Sequence, residues 1–247
     1  MNMTRILIFL LIIVSTSLSG QTLEVVYNVQ IDMSGNLAQP FHHKYVLINS
    51  NGKSIQKQFL PETVSNTLLD KDNKTTKYVK IGNDTTYMYK DFIKKDMFSE
   101  ENIFTKVFDV KDELNVFKWK IETDTLTILN YKCRKASLTF RGRDYVAYFS
   151  EEIPISDGPW KFNGLPGLIL KVMIVNSTSV FSMEVSELRI TKNAKKIINP
   201  YEGKKVMPFI DFKKEYNKKY SELEAYSASQ SGGFKVHRGG IELLSDD

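Results

Sequence analysis

The sequence predicts a mainly β chain of the α+β type: a curved antiparallel sheet or half-barrel with one C-terminal amphipathic helix. Three observations predict it. Apolar and polar residues alternate with period two through most of the chain, the mark of half-buried strands. Leu168 to Val175 is apolar on both faces apart from Lys171, so it needs cover on both and the sheet must curve around something. Only one segment carries a helical period.

The elements follow in order. Leu23, Val25, Tyr27, Val29 and Ile31 share one face of an extended segment and Glu24, Asn28, Gln30 and Asp32 the other. Met33-Ser34-Gly35-Asn36 ends it with turn residues. Shorter strands are predicted at Tyr45 to Ile48, Ser54 to Phe59, Tyr78 to Ile81 and Thr85 to Tyr89, with turns at Asn51-Gly52 and Gly82-Asn83-Asp84. The middle of the chain is the most regular: Phe117 to Glu122, Leu126 to Tyr131, Arg134 to Phe140 and Tyr145 to Ser150, the last two linked by Arg141-Gly142-Arg143-Asp144. Cys133 and Ala136 fall on opposite parities, and a bulge near Arg134-Lys135 accounts for the switch. Asn176 to Ser179 turns the apolar strand into a last one, Val180 to Ile190. Phe209, Phe212, Tyr216, Tyr220 and Leu223 recur at spacings of 3, 4, 4 and 3, which predicts a helix over 208–226 that packs on the sheet.

Residues 1–20 have the form of a signal peptide: Arg5 as the positive end, Ile6 to Val14 as the apolar run, Ser15 to Gly20 as the small polar region before cleavage. The run falls short of the ~20 apolar residues a membrane span needs, and Gln21 stands where a lipoprotein would carry cysteine. The expectation is a cleaved, soluble chain, periplasmic or secreted, with no membrane span. Residues 21–226 form a single β-rich domain, and 227–247, rich in Ser, Gly and charge, a loosely ordered tail.

Lys and Arg total 34 against 29 Asp and Glu. Removing the signal takes away Arg5 alone, leaving 33 − 29 = +4. The excess is spread along the chain and reads as a solvated basic face; no nucleic-acid partner is expected. The single cysteine, Cys133, has no internal partner and is expected to be buried. His42 and His43 are neighbours on a strand and so face apart, which leaves no natural metal pair. No phosphate loop or nucleophile elbow occurs. No catalytic residue, metal or cofactor is therefore predicted.

One segment stands out. Gly158-Pro159-Trp160-Lys161-Phe162-Asn163-Gly164-Leu165-Pro166-Gly167 packs three glycines and two prolines around three large apolar residues. Gly158, Pro159, Gly164, Pro166 and Gly167 dictate a fixed series of turns, with Gly164 and Gly167 expected to adopt angles closed to other residues. Trp160, Phe162 and Leu165 then either plug the edge of the core or line the mouth of a ligand site.

Gly164 to Ile169 spells the sequence for which the GLPGLI family is named, and Asn130 to Ala136, Tyr145 to Ser150, Ile153-Pro154 and Gly158-Pro159-Trp160 resemble that family's central block. The resemblance runs the length of the mature chain, its specific part being residues 128–170. It implies an exported protein of Bacteroidetes type, of undetermined function, whose genes often accompany outer-membrane transport or surface machinery. That family often ends in Asn-Pro-Ile-Glu-Leu; here Ile241-Glu242-Leu243 keeps the last three. The order of elements is more faintly similar to curved-sheet carriers of the LolA type, and to the bowl-shaped N-terminal domain of some glycoprotein deglycosylases.

Together these features point to an exported, non-enzymatic binding or accessory protein of the cell envelope. Its curved sheet would hold an apolar ligand, an acyl chain or peptide, with Trp160, Phe162 and Leu165 as the ligand-binding residues. The alternative is a glycan- or glycoprotein-binding module associated with outer-membrane machinery. Either would partner outer-membrane or cell-surface proteins.

Overall fold

The computed structural model describes residues 20–32, 40–59, 67–69, 75–77, 87–114, 116–230, 233, 236, 238 and 240–244. The predicted signal peptide up to residue 19, the Met33 to Asn36 turn, the Tyr78 to Ile81 strand and the Gly82 to Asp84 turn lie outside them.

Among the described residues the protein is mainly β, an open, curved sheet with a single C-terminal helix. In chain order the strands are β1 (Thr22–Asp32), β2 (Phe41–Ser50), β3 (Lys53–Phe59), β4 (Thr67–Leu69), β5 (Thr75–Lys77), β6 (Tyr87–Asp91), β7 (Asp96–Ile103), β8 (Lys106–Glu113), β9 (Lys120–Ile128), β10 (Tyr131–Phe140), β11 (Arg143–Ser150), β12 (Leu168–Val175), β13 (Val180–Thr191) and β14 (Met207–Pro208). The helix, α1, is Phe209–Ser229. Twelve strands form one sheet in the order β14-β8-β7-β6-β3-β2-β1-β13-β12-β11-β10-β9, and β4 and β5 pair separately. Every contact in the large sheet is antiparallel except β14 on β8.

Alternation on β1 sets the inside. Leu23, Val25, Tyr27 and Val29 are buried in one core with Tyr145, Phe149, Leu168 and Val172. Opposite them, Asn28 and Gln30 face solvent. The Asn51-Gly52 turn forms as predicted, both residues having positive φ, as a two-residue hairpin requires. The register between β9 and β10 shifts between Arg134 and Ala136, which is the predicted bulge.

Three differences from the sequence expectation have physical causes. Phe117 to Glu122 and Leu126 to Tyr131 are not separate strands: β9 runs unbroken to Ile128 and turns at Leu129-Asn130. Leu129 adopts φ 48°, a conformation that no leucine advertises. Strands β7 and β8 have no counterpart in the prediction, because their inward positions include Ser99, Glu101 and Asp112 where apolar residues would give the signal. The helix extends beyond 226 to Ser229 and buries Phe212 and Tyr216 against Ile103, Val110 and Leu244. So part of the segment expected to be loose is packed.

Cys133 is buried on β10, and burial pushes its thiol up to about 11. It is expected not to react with Ellman's reagent at pH 8 in the native protein and to react fully once unfolded. Native labelling within minutes would place the thiol at the surface instead.

Candidate functional site

The chain between β11 and β12, residues 151–167, crosses the inner face of the sheet and is pinned there by buried polar groups. Lys90 on β6 forms an ion pair with Asp157 at 2.9 Å, both side chains fully enclosed. The same ammonium donates to the carbonyls of Gly158 and Phe162, each at 3.0 Å. Asn49 on β2 donates to the other Asp157 oxygen at 2.9 Å. Gln56 on β3 holds Trp160 at both ends, donating to its carbonyl at 2.8 Å and accepting its N–H at 2.7 Å. Trp119 donates to the Asn163 carbonyl at 2.8 Å. Burial lowers the Lys90 pKa, and Asp157 only partly restores it.

Phe162 is the hub of the inner core. Its ring lies 5.0 Å from Tyr145, 5.1 Å from Trp160, 5.5 Å from Phe117 and 5.9 Å from Trp119. Phe162 and Leu165 are 0% and 1% exposed. Both fill the core. Trp160, 8% exposed and held at φ 50°, packs edge-on against Phe162 and Phe181 and turns its remaining surface to a cavity.

That cavity has a volume of about 340 Å³ and is walled by Val29, Ile31, Tyr45, Trp160, Phe181 and Met183, with Phe41, His42, His43, Gln58 and Ile241 completing it. Of the three predicted ligand-binding residues, Trp160 alone lines it. His42 is exposed and His43 half-buried. Burial first, and then the neighbouring His42, lower His43 to about 4, so it is a neutral wall at physiological pH. A larger, more open groove of about 540 Å³ lies beside Phe92 and Ile155, but Gln21, Asn49, Asn51 and Ser156 give it a mixed surface.

Behind Trp160 lies a cluster of five charges. Lys161, 1% exposed, meets Glu101 at 2.9 Å and Glu242 at 3.1 Å. Arg141 pairs with Asp112 at 3.0 Å and with Glu242 at 2.9 Å, and its guanidinium lies 3.6 Å from the Phe209 ring centre. Asp112 belongs to β8 and Arg141 to the β10–β11 turn, nearly opposite ends of the sheet order. Their contact shows how far the sheet bends round. Burial penalises the Lys161 ammonium, but Glu101, Glu242 and Asp112 outweigh it and raise its pKa. Glu242 is raised by burial, against the pull of Lys161 and Arg141.

Residues 141–171 match a family described as "Protein of unknown function (Porph_ging)". The stretch runs from Arg141 through β11 and the pinned loop into β12, so it coincides with the site. No curated protein matches the chain. Two solved structures of PNGF-II, in C2 and P21 space groups, are similar at 15% and 14% identity. The matches cover 76% and 78% of this chain with TM-scores of 0.47 and 0.48. The chain spans about a third of their length, 31% and 32%.

The glycines of the loop act in two ways. Gly164 adopts φ 91°, as expected. Gly167 does not: its φ is ordinary, and it is glycine because a Cβ there would stand 2.1 Å from the Ser150 carbonyl oxygen. Gly158 is likewise a matter of space, against the side chain of Ile169. Pro159 accepts the Phe162 N–H at 3.2 Å, and Pro166 leads directly into the Gly167 contact.

Sequence reasoning gave no role in the site to Asn49, Gln56, Lys90, Asp157, Arg141, Lys161 or Glu242. A lysine between two core aromatics in a rigid loop, and an apolar–acid–apolar triplet in a polar tail, were the available signals. Among the described residues, no three His, Cys, Asp or Glu side chains are grouped so as to hold a metal ion, and no helix is long and apolar enough to cross a membrane.

Proposed function

We propose that this is an exported binding protein of the cell envelope that takes an apolar group, an acyl chain or an apolar peptide side chain, into the cavity beside Trp160. The observation that carries the reading is the cavity itself: a concave apolar space of ligand size, with an aromatic wall held in place by Gln56 through both backbone groups of Trp160. A wall so fixed loses little entropy when a ligand arrives. The signal-like N-terminus and the GLPGLI resemblance support export and an envelope role.

The protein's two tryptophans make the test direct. With Trp119→Phe, Trp160 is the sole indole, and titration with 1-dodecanol should shift or quench its emission saturably. With Trp160→Phe, Trp119 alone remains away from the cavity and its emission should stay unchanged. Unchanged Trp160 emission up to the solubility limit of the alcohol would defeat the reading.

A further inference from the structure

The segment Gly240 to Leu244 lies over the candidate site like a ligand. Leu243 donates its N–H to the Arg141 carbonyl at 2.9 Å, Arg143 donates to the Gly240 carbonyl at 3.0 Å, and the Tyr145 hydroxyl donates to the Ile241 carbonyl. Ile241 forms part of the cavity wall, and Leu244 is buried with Phe212 and Tyr216. Between them, Glu242 sets its carboxylate on Lys161 and Arg141. The approach is close enough that a Cβ on Gly142 would stand 2.9 Å from that of Leu243. An apolar group in the cavity, followed at once by a carboxylate on the buried Lys161 and the half-buried Arg141, is therefore an arrangement this site already holds.

We infer that the external ligand of the cavity is a carboxylic acid on an apolar chain, which displaces Ile241 and Glu242 and sets its own carboxylate on Lys161 and Arg141. The inference rests on the apolar-cavity reading and names the ligand class for it. Its physical basis is the cost of leaving the cations short of an acceptor. Lys161 is almost wholly enclosed, and a buried donor that loses its partner forfeits more than the bond was worth. A neutral ligand that pushed Glu242 aside would impose that cost. A carboxylate replaces what it removes, and the cluster keeps two cations against three carboxylates: Glu101, Asp112 and the newcomer. No lysine or arginine lines the cavity itself. The anion site is therefore the one behind Ile241. A free fatty acid and an acidic–apolar peptide share this chemistry.

The test compares dodecanoate, 1-dodecanol and the peptide acetyl-Gly-Gly-Ile-Glu-Leu-Leu-amide on the full chain carrying Trp119→Phe, read by Trp160 emission at pH 8. Dodecanoate should bind about tenfold more tightly than dodecanol, the equivalent of one charge-assisted hydrogen bond. Glu242→Gln removes the internal competitor's charge and should strengthen dodecanoate binding well beyond any change for dodecanol. Lys161→Met, checked for folding by circular dichroism, should abolish the preference for acid over alcohol. Tighter binding of the peptide than of dodecanoate to the Glu242→Gln protein would identify a polypeptide as the source, and the reverse a fatty acid. Equal affinities for acid and alcohol, both in the parent protein and with Glu242→Gln, would overturn the carboxylate assignment and leave the apolar cavity standing. Binding of neither would overturn both.

Discussion

Lys90→Met should destabilise the protein by about 3–5 kcal/mol, the cost of leaving a buried carboxylate without its counter-ion. Asp157, fully enclosed, would keep only Asn49 and the Gly158 N–H as donors. The carbonyls of Gly158 and Phe162 would lose a donor as well. The loss should appear as a lower urea midpoint at unchanged slope. Lys171→Met supplies the comparison, since its pair with Glu184 at 2.7 Å lies at the surface and should contribute no more than about 1 kcal/mol. Adding Asp157→Asn to Lys90→Met should recover part of the loss, because the orphaned charge is then gone. Similar costs for Lys90→Met and Lys171→Met would mean that water reaches Asp157 and that the loop is not sealed against the sheet.

The contrast between these two lysines also marks what the sequence could and could not disclose. Strands whose inward residues are apolar announce themselves by period: β1 through Leu23 to Val29 and β12 through Leu168 to Val172. Even the bulge at Arg134 shows as a break in parity. Strands that turn polar groups inward do not, and β7 and β8 carry no such period because Glu101 and Asp112 serve Lys161 and Arg141. The same holds at the site. The composition of the loop made its rigidity legible, and Trp160 was in view as a wall residue. Its anchors were not, because Asn49, Gln56 and Lys90 lie about a hundred residues or fewer upstream on three different strands, and only the curvature of the sheet brings them beneath the loop. The Glu242 contacts are longer in range still, joining the end of the chain to the β10–β11 turn.

Gly167→Ala should be the most damaging single-methyl change in the loop, at about 3 kcal/mol or more, the upper range of overpacking penalties. The added carbon would meet the Ser150 carbonyl oxygen at 2.1 Å and its carbon at 2.6 Å, and neither can rotate away because both are backbone. Relief requires the loop to lift from β11. That movement strains the two hydrogen bonds immediately downstream, Leu168 N–H to the Ile153 carbonyl and Ile169 N–H to the Asp157 carbonyl, both at 3.0 Å. Asp157 would carry the disturbance to Lys90 and so to the buried ion pair. Gly164→Ala tests the other way in which a glycine can be required. Its nearest neighbour would be the Trp119 ring at 4.0 Å, so there is room, and the cost is that of an alanine at φ 91°, roughly 1–2 kcal/mol. The two variants add the same methyl group at positions three residues apart, and urea unfolding of both separates contact from conformation. Should Gly164→Ala prove the costlier of the two, the close approach of Gly167 to Ser150 would not be what seats the loop, and positive φ at Gly164 would take its place.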